Sequence, residues 1–415
     1  MSFVNSGASQ VDVAIVGGGL VGVSLALALA PTGLKTALIE GVAPDANAQP
    51  SFDDRTTALG NGTRRSFEAL GIWSQVAPRA APICRIHVSD AGRFGFARLE
   101  AREHGIDAFG YVVTNRVLGT ALRVAMTVLP DLELRMPAKC SGVALHEGDV
   151  ELATEPATSP LRARLVVAAD GADSKVRAAA GLVATLEDYR QVAIVSHVRS
   201  SRPADGTAYE RFTPEGPFAV LPLFDGAYGV VWTLAPEAAE RVLALSDKDY
   251  LAALQGEFGW RIGRLLSVGQ RNAYPLRLSR AETLTGQRVV LIGNAAQGLH
   301  PVAGQGFNLG LRDAATLAEL LAEVVRRDGS RADVGSPEIL REFASRRAAD
   351  RDGVTRFTDG LVKLFGDTRP GVPLLRDLGL LLFDLSPTAK QALSRLSWGF
   401  AGRTPRLGRG LGVMP

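Results

Sequence analysis

The chain has 415 residues, of which 46% are apolar and 21% charged, the balance of a globular protein rather than of a disordered chain. Lysine and arginine together number 46 against 43 for aspartate and glutamate, so the net charge of +3 gives no sign of nucleic-acid binding. The two cysteines, Cys84 and Cys140, exclude a disulfide framework and a cysteine-based zinc or iron–sulfur site, and they fit a reducing compartment.

The first elements must be separated from a membrane segment, because residues 14–34 carry no charge and are long enough for a membrane helix. Glycines and Pro31 interrupt this stretch, however, and it lacks the preceding positive charges of a signal peptide. The pattern instead favours a strand, a glycine turn, a helix and a second strand. The predicted elements are a strand over Val11–Val16, a helix over Leu20–Ala30 and a strand over Lys35–Ile39.

The turn between the first strand and the first helix has the spacing of a dinucleotide-binding fingerprint. Gly17 permits the sharp turn, Gly19 leaves room for a pyrophosphate, and Gly22 allows the helix to pack closely on the strand. Glu40 follows the second strand, where a carboxylate can accept hydrogen bonds from a ribose diol. Because FAD and NAD share the adenosine diphosphate half, the fingerprint does not choose between them.

The rest of the chain contains both parallel α/β elements and a hairpin. An Asp225-Gly226 turn between two apolar runs is a strong hairpin signal. This mixture predicts a discontinuous nucleotide-binding domain with an inserted antiparallel sheet domain. The predicted elements are a helix over Arg116–Val128, strands over Leu165–Ala169, Phe218–Leu223, Tyr228–Leu234 and Val289–Ile292, and helices over Gly306–Arg326 and Ile339–Leu364.

Two longer motifs carry a family resemblance. The segment Asp170–Arg177 resembles the "DG" motif of single-component flavoprotein aromatic hydroxylases, and Gly293–Asp313 resembles the signature of the ubiquinone-biosynthesis branch of that family. Glycines at 304, 306 and 310 also permit a loop that lies against a flat ring and opens a helix whose dipole stabilises negative charge on a reduced flavin. Shorter matching segments are Phe52–Leu59, His87–Asp90, Glu210–Phe212, Phe258–Arg261 and Ala273–Leu276.

The resemblance implies an α/β fold of the para-hydroxybenzoate hydroxylase type. It comprises a discontinuous Rossmann-like FAD-binding domain, an inserted, mostly antiparallel β-sheet domain for substrate, and a C-terminal helical segment. We assign residues 1–75, 101–185 and 280–360 to the FAD-binding domain, 76–100 and 186–279 to the substrate domain, and 361–415 to the C-terminal segment.

The resemblance also implies the chemistry. A reductant, either NAD(P)H (NADPH or NADH) or a protein electron donor, reduces FAD; O₂ then forms a flavin C4a-hydroperoxide, which hydroxylates the ring of a polyprenylated phenol. At Asn294 this chain departs from the family, which usually has aspartate there. The residues implied in cofactor binding are Gly17, Gly19, Gly22, Glu40, Arg55, Arg116, Asp170, Asn294, Pro301, Gly304, Gln305, Gly306, Phe307 and Asn308.

His300 and Pro301 are the catalytic-site candidates. His300 is either a general base for the phenol or a residue that shapes the pocket, and we favour the second interpretation. The spacing of the remaining histidines is not that of metal ligands, so no metal site is predicted. The candidate substrate residues, for which a core role is an equal alternative, are Phe218, Val220, Pro222 and Trp232.

The C-terminal segment suggests where the protein acts. Leu374–Leu385 is apolar but too short to span a bilayer, and it precedes a basic tail. Such a segment suits an anionic membrane surface, with packing of the apolar run on the core as the alternative. We therefore expect a cytoplasmic protein at the inner face of the cytoplasmic membrane, in a complex with other ubiquinone-biosynthesis proteins. The tail cations are Lys390, Arg395, Arg403, Arg406 and Arg409.

Three alternatives remain from the sequence: a flavin hydroxylase of a soluble aromatic substrate, a non-catalytic flavin-binding scaffold subunit, and a nicotinamide dehydrogenase. The long flavin signature disfavours the dehydrogenase, and the intact glycine motifs speak against the scaffold.

Overall fold

The computed structural model describes residues 9–43, 52–157, 159–300, 304–367, 369–386 and 403–414. The strands are β1 (Ser9–Val16), β2 (Thr36–Ile39), β3 (Thr56–Gly60), β4 (Ala81–Ile83), β5 (Arg85–Asp90), β6 (Phe96–Glu100), β7 (Gly110–Thr114), β8 (Leu132–Arg135), β9 (Lys139–Leu145), β10 (Val150–Glu155), β11 (Leu161–Ala168), β12 (Ala184–Ser200), β13 (Thr207–Thr213), β14 (Gly216–Pro222), β15 (Tyr228–Leu234), β16 (Leu265–Val268), β17 (Asn272–Ala281), β18 (Thr285–Gly286), β19 (Val289–Leu291) and β20 (Gln297–Gly298). The α-helices are α1 (Leu20–Leu29), α2 (Asn61–Ala69), α3 (Trp73–Val76), α4 (Asn115–Thr127), α5 (Lys175–Ala179), α6 (Pro236–Leu243), α7 (Asp247–Phe258), α8 (Gln305–Asp328), α9 (Pro337–Gly366) and α10 (Val372–Leu385).

The first sheet is built around parallel strands in the order β19-β11-β1-β2-β8. Strand β1 is buried on both faces over Val13–Val16, which explains this continuous apolar run. Helix α1 is apolar on every side and packs against α4 and α8. This inward packing, rather than a bilayer, accounts for the uncharged N-terminal stretch.

The second sheet has nine strands in the order β20-β17-β12-β15-β14-β13-β5-β6, with β16 beside β12. Its pairs are antiparallel except β13 with β5. One face packs against α6 and α7 through an aromatic cluster that includes Phe218, Trp232 and Phe258. The other face is turned toward the first sheet and the C-terminal helices. Strands β3, β7 and β4 form a small third sheet.

The C-terminal residues divide into two parts with different surroundings. Helix α10 lies against β6, whereas residues 403–414 pack on α2 and α8. Leu407 and Val413 are buried there, and Arg403 lies 3.8 Å from a carboxylate oxygen of Glu319. This part of the basic tail is therefore anchored to the protein, and its binding to a membrane stays a prediction. Lys390 and Arg395 lie outside the described residues.

Candidate functional site

Four segments meet where parallel strands of the first sheet end. Gly17 follows β1, Glu40 follows β2, Asp170 follows β11, and Gly293 follows β19. All four line one cavity of about 1730 Å³, whose opposite wall is the nine-stranded sheet. Such crevices at the carboxyl ends of parallel strands are the usual ligand sites of open α/β sheets.

The glycine turn is packed closely enough to explain its residues. Gly17 has a φ of +112°, and a Cβ there would lie 2.3 Å from the carbonyl oxygen of Ala169. A Cβ on Gly22 would lie 2.0 Å from the carbonyl oxygen of Gly17, so Gly22 allows α1 to pack behind the turn without itself lining the cavity. Gly19 does line the cavity and precedes α1, which has no side-chain cap on its first amides. The free amides and the helix dipole suit a pyrophosphate.

Glu40 is fixed at the edge of this turn. Its carboxylate accepts hydrogen bonds from the backbone N–H of Gly18 at 2.7 Å and of Val42 at 2.8 Å. The same carboxylate lines the cavity and retains free lone pairs. It is therefore oriented to accept bonds from a ribose diol.

The two carboxylate oxygens of Asp170 differ in their hydrogen bonding. Its Oδ2 accepts hydrogen bonds from the amides of Lys175 at 2.9 Å and Val176 at 3.3 Å, capping α5. Its Oδ1 is buried and has no hydrogen-bond partner among the described residues. A buried acceptor left over in a cavity wall fits a ligand that donates hydrogen bonds there, such as a hydroxyl-bearing ribityl chain.

The two sequence motifs contact each other directly. Arg177, from the first motif, donates from Nη1 to the carbonyl of Ala295 at 2.8 Å and from Nη2 to the carbonyl of Ala172 at 2.7 Å. Asn294, beside Ala295, is exposed and lines the cavity. Arg177 thus joins the two motif segments that line this part of the cavity.

The long motif turns into α8 at the cavity. Gly304 has a left-handed φ of +59°, and α8 begins directly after it without a side-chain cap. A Cβ added to Gly306 would meet no atom within 4 Å, so the space in front of this backbone is open. Gln305 and Phe307 also line the cavity. An open glycine face over uncapped helix amides fits the flat, electron-accepting edge of an isoalloxazine.

Asn308 lines the same cavity but uses its side chain within the protein. Its Oδ1 accepts from the Gly60 N–H at 2.9 Å and the Thr63 hydroxyl at 2.7 Å. Its Nδ2 donates to the carbonyls of Ala58 and Gly304, both at 2.8 Å. The side chain therefore holds the start of α8 against β3 and α2.

A buried charge network supports the long motif from behind. Asp313 Oδ2 accepts from the Gly293 N–H at 3.1 Å and from Gln297 Nε2 at 2.8 Å, so it ties the first part of the motif to α8. Arg347, on α9, donates to Asp313 at 2.7 Å and to Asp350 at 2.6 Å. The sequence alone gives no sign of this role, because Arg347 is one of five arginines along α9 and its partner Asp313 lies on another helix.

Two predicted arginines have different surroundings. Arg55 lines the cavity, pairs with Asp53 at 2.7 Å and lies over the Tyr274 ring. Arg116 does not line the cavity. Its guanidinium forms an exposed bidentate pair with Asp54 at 2.8 and 3.1 Å, which corrects its assignment as a cofactor ligand. Pro301 lies outside the described residues.

His300 is buried at the inner end of the loop. Its Nε2 lies 3.3 Å from Gln191 Oε1, and its ring packs edge-on against Tyr189 with centroids 5.1 Å apart. Burial lowers the pKa of His300 to about 4, so the imidazole is neutral at pH 7. A base of that strength is poorly matched to a phenol, whose proton is held far more tightly. The geometry agrees with a role in shaping the pocket.

We expect His300→Asn to retain at least about a tenth of the wild-type kcat, since a general base contributes roughly 10²–10⁴-fold and a packing residue far less. Because the pKa of His300 is depressed, its neutral form contributes full stability above pH 6.5 and loses it as the pH falls toward 4. The pH profile of kcat between about pH 5.5 and 9 should therefore keep its shape. His146→Asn, at an exposed histidine, is the control. If His300→Asn alone lost a pH-dependent change of kcat near pH 6.5, the pocket-shaping role of His300 would be contradicted.

The substrate wall differs from the one expected. Phe218, Val220 and Trp232 lie in the buried cluster against α6 and α7, and Pro222 shares their face of β14. The alternate residues Pro217, Ala219, Leu221, Val231 and Thr233 line the cavity instead. The assignment of Phe218, Val220, Pro222 and Trp232 to substrate is therefore corrected. Side chains of a strand alternate between the two faces of the sheet, which separates these two sets of residues. Because both sets are apolar, only the positions of the helices show which face meets the cavity.

Comparisons with known proteins agree with this arrangement. Residues 10–357 match the family described as FAD binding domain. The chain is 37% identical over 406 residues to "Ubiquinone hydroxylase UbiL" of Rhodospirillum rubrum, covering 96% of this chain and 93% of that protein. It is 31% identical over 392 residues to "3-demethoxyubiquinol 3-hydroxylase" of Escherichia coli, covering 94% and 98%.

Among solved structures, p-nitrophenol 4-monooxygenase PnpA from Pseudomonas putida DLL-E4 superposes with a TM-score of 0.77 at 20% identity, covering 95% of this chain and 99% of that one. The predicted fold class is confirmed by this likeness. The predicted family resemblance and the FAD cofactor are confirmed by the sequence matches.

Proposed function

This chain belongs to the FAD-binding family of ubiquinone-biosynthesis hydroxylases, and we propose that it hydroxylates the ring of a polyprenylated phenol in that pathway, of the 2-octaprenyl-6-methoxyphenol type. It is an FAD-dependent aromatic monooxygenase. The observation that carries the proposed substrate is the shape of the cavity. It runs without interruption from the glycine turn, past the nine-stranded sheet, to the apolar faces of α9 and α10.

The FAD end of this cavity is assigned from the contacts described above. The turn at Gly17 and Gly19 would hold the pyrophosphate, Glu40 the ribose, Asp170 the ribityl region, and the Gly304–Asn308 backbone the isoalloxazine. When bound and reduced, FAD activates O₂ for insertion of one oxygen atom into the ring. The protein's own groups hold the ring in place and keep water out of an apolar chamber.

The tail end of the cavity is apolar. Leu361, Leu364 and Phe365 of α9 and Leu380 and Phe383 of α10 line it. Phe365 stacks on Phe212 of the sheet with ring centroids 3.6 Å apart. The cavity of about 1730 Å³ is well above the 300–1000 Å³ typical of small-ligand pockets, and its FAD end takes up part of that volume. The apolar lining of the other end supports a substrate with a long hydrocarbon tail. We propose that residues 1–75, 101–185 and 280–360 form the FAD part, and residues 76–100 and 186–279 the ring-binding part.

Helix α10 supports a position at a membrane surface. Its leucines at 374, 375, 378, 382 and 385 are 44–79% exposed and form a ridge along one side of the helix, which we call the leucine ridge. The opposite side lines the cavity through Gly379, Leu380 and Phe383. A tail leaving the cavity would therefore reach this ridge. Among the described helices, none is both long and apolar enough to cross a bilayer.

We expect Leu378→Glu with Leu382→Glu to weaken binding to vesicles of mixed neutral and anionic lipid by at least about a hundredfold, because burying each leucine contributes about 1.5–3 kcal/mol. Co-sedimentation measures this, and Val124→Glu, at an exposed valine of α4, is the matched control. Equal binding by the ridge variant and the wild type would remove the membrane proposal. The leucine ridge would then be tested for binding to partner proteins of a ubiquinone-synthesis complex.

The proposed reaction is tested in two ways. In a strain lacking the protein, mass spectrometry should show accumulation of a polyprenylated phenol one hydroxyl short of the next intermediate. The purified holoenzyme, with NADPH, NADH or a protein electron donor, should hydroxylate a short-tailed 2-methoxy-6-prenylphenol and consume one O₂ per product. Accumulation of a different ring intermediate would correct the ring position, and hydroxylation of soluble aromatic acids alone would replace the substrate class.

A further inference from the structure

One row of the nine-stranded sheet crosses the cavity wall and contains a single ionisable side chain. The registers of β12, β15, β14, β13, β5 and β6 place its members side by side. In spatial order they are Val195, Val231, Ala219, Glu210, Val88 and Ala97, and all line the cavity. Glu210 therefore presents a carboxyl group in an otherwise apolar row.

The residues around Glu210 leave space above it. Its neighbours on the adjacent strands are Ala219 and Val88, and on its own strand the same face carries Ala208 and Phe212. The small side chains of Ala219, Val88 and Ala208 leave room for a flat ring against the sheet. Phe212 belongs to the apolar cluster with Phe365, so the tail end of the cavity begins beside the carboxyl group.

The surroundings of the Glu210 carboxyl group leave it without a partner in the part of the chain that the structure describes. Among the residues that the structure describes, none forms an ion pair or hydrogen bond with its side chain. Toward the cavity, β14, β5 and α9 present apolar residues, and α10 presents Arg376, whose guanidinium donates to Asp90 at 2.9 Å. The other ionisable groups lining the cavity near the sheet are Tyr209 of the same strand, Tyr274 and Arg277 of β17, with His300 and Arg55 on the opposing loops.

An unpaired carboxyl group in an apolar wall is costly, because ionisation there loses the solvation of water. Consistently, burial raises the pKa of Glu210 to about 8. A Gln or Ala at this position would avoid the cost. Its presence in the ring-binding wall indicates a hydrogen-bond donor that arrives with the ligand.

We propose that Glu210 accepts the hydrogen bond of the substrate's phenolic hydroxyl and takes its proton, which rests on the proposed function. The phenolic O–H bond breaks, a new O–H bond forms on the carboxylate, and the electron pair stays on the phenolate oxygen. The resulting ring is more electron-rich at the positions ortho and para to that oxygen, which favours attack on an electrophilic oxygen. No other reactant is needed for this step.

The raised pKa gives the sign of the pH dependence. Only ionised Glu210 can take the proton, so kcat/KM should rise with pH through about 8 and level off above it. The pKa of Glu210 is also closer to that of a phenol than the pKa of an ordinary carboxyl group is, which makes the proton transfer more favourable. His300, with a pKa of about 4, stays neutral around pH 8 and therefore adds no change of its own to the pH profile there.

The test compares holoenzymes carrying Glu210→Gln or Glu215→Gln with the wild type. Glu215 lies exposed in the adjoining turn, so its substitution removes the same charge outside the cavity. The probe is 2-methoxy-6-geranylphenol, and the phenolate absorbance of the bound probe is titrated in the absence of O₂. In the wild type and in Glu215→Gln, we expect half-ionisation of the bound phenol at a higher pH than for the free phenol, because an ionised carboxylate that accepts the hydroxyl's hydrogen bond opposes a second negative charge beside it. In Glu210→Gln, we expect half-ionisation closer to the free value.

Turnover provides the second measurement. Glu210→Gln should lower kcat on the order of 10²–10⁴-fold with an unchanged FAD-to-protein ratio, and a ring-fluorinated probe with a more acidic hydroxyl should recover part of the rate. Glu210→Asp keeps a carboxyl group, so its kcat/KM should still rise with pH, at a rate between those of the wild type and Glu210→Gln. This variant replaces Glu210→Gln as the test if the Gln variant does not fold.

The failure modes are distinct. If the wild type hydroxylates the probe and Glu210→Gln titrates and turns over like it, the assignment of Glu210 is wrong while the proposed function stands. If the wild type neither binds nor hydroxylates the phenol, the proposed function fails and the assignment with it.

Discussion

Gly19→Val is expected to abolish retention of FAD while leaving the fold intact. Gly19 has φ −72° and ψ −176°, a conformation that valine adopts without strain, so the substitution does not disturb the backbone. Its branched side chain would instead occupy the cavity in front of the α1 amides. Loss of two charge-assisted hydrogen bonds of about 1.5–3 kcal/mol each weakens binding by at least about a hundredfold.

The measurement is flavin absorbance per protein after gel filtration, together with the urea midpoint of the apoprotein. Gly148→Val is the matched control, because Gly148 is exposed, with open space around it and no positive φ. Glu40→Ala should weaken FAD binding by only about 1–3 kcal/mol through lost ribose contacts. Full flavin occupancy in Gly19→Val would remove the pyrophosphate assignment of this turn.

Arg347→Met is expected to lower the free energy of unfolding by about 3–5 kcal/mol, because it leaves two buried carboxylates without their shared cation. Arg347 and Asp313 have side chains only 2% and 1% exposed, and Asp350 retains Arg312 as its second partner. The uncompensated charge therefore falls mainly on Asp313, which holds the Gly293 amide. We expect weaker FAD retention to accompany the loss of stability.

Urea unfolding of the apoprotein and of the holoenzyme separates these two effects. Arg341→Met is the control, because Arg341 lies on the same helix in an ion pair whose two side chains are 75% and 73% exposed. Removing an exposed pair of this kind changes stability by about 0–1 kcal/mol. Equal destabilisation by the two substitutions would show that the buried network does not support the loop.

The FAD half of the site could be predicted from the sequence, because its chemistry depends on backbone conformation. A glycine turn between an apolar strand and a helix fixes local φ values and close contacts within a few residues. The positions of Gly17, Gly19, Glu40 and the Gly304–Asn308 loop at one cavity follow from parallel strands, whose carboxyl ends share one edge of a sheet.

The ring-binding half was decided by the tertiary structure. In β14 both faces are buried, one against α6 and α7 and the other against the cavity, so Phe218 and Ala219 both sit in apolar surroundings and their pattern cannot say which meets a ligand. The same holds for Arg347, whose role depends on a partner 34 residues away. It holds also for Glu210, which has no side-chain partner among the described residues; this becomes visible only when the neighbouring strands are in register. Long-range packing determines which of two equally apolar faces is core and which charges are buried, and a local sequence pattern does not contain that information.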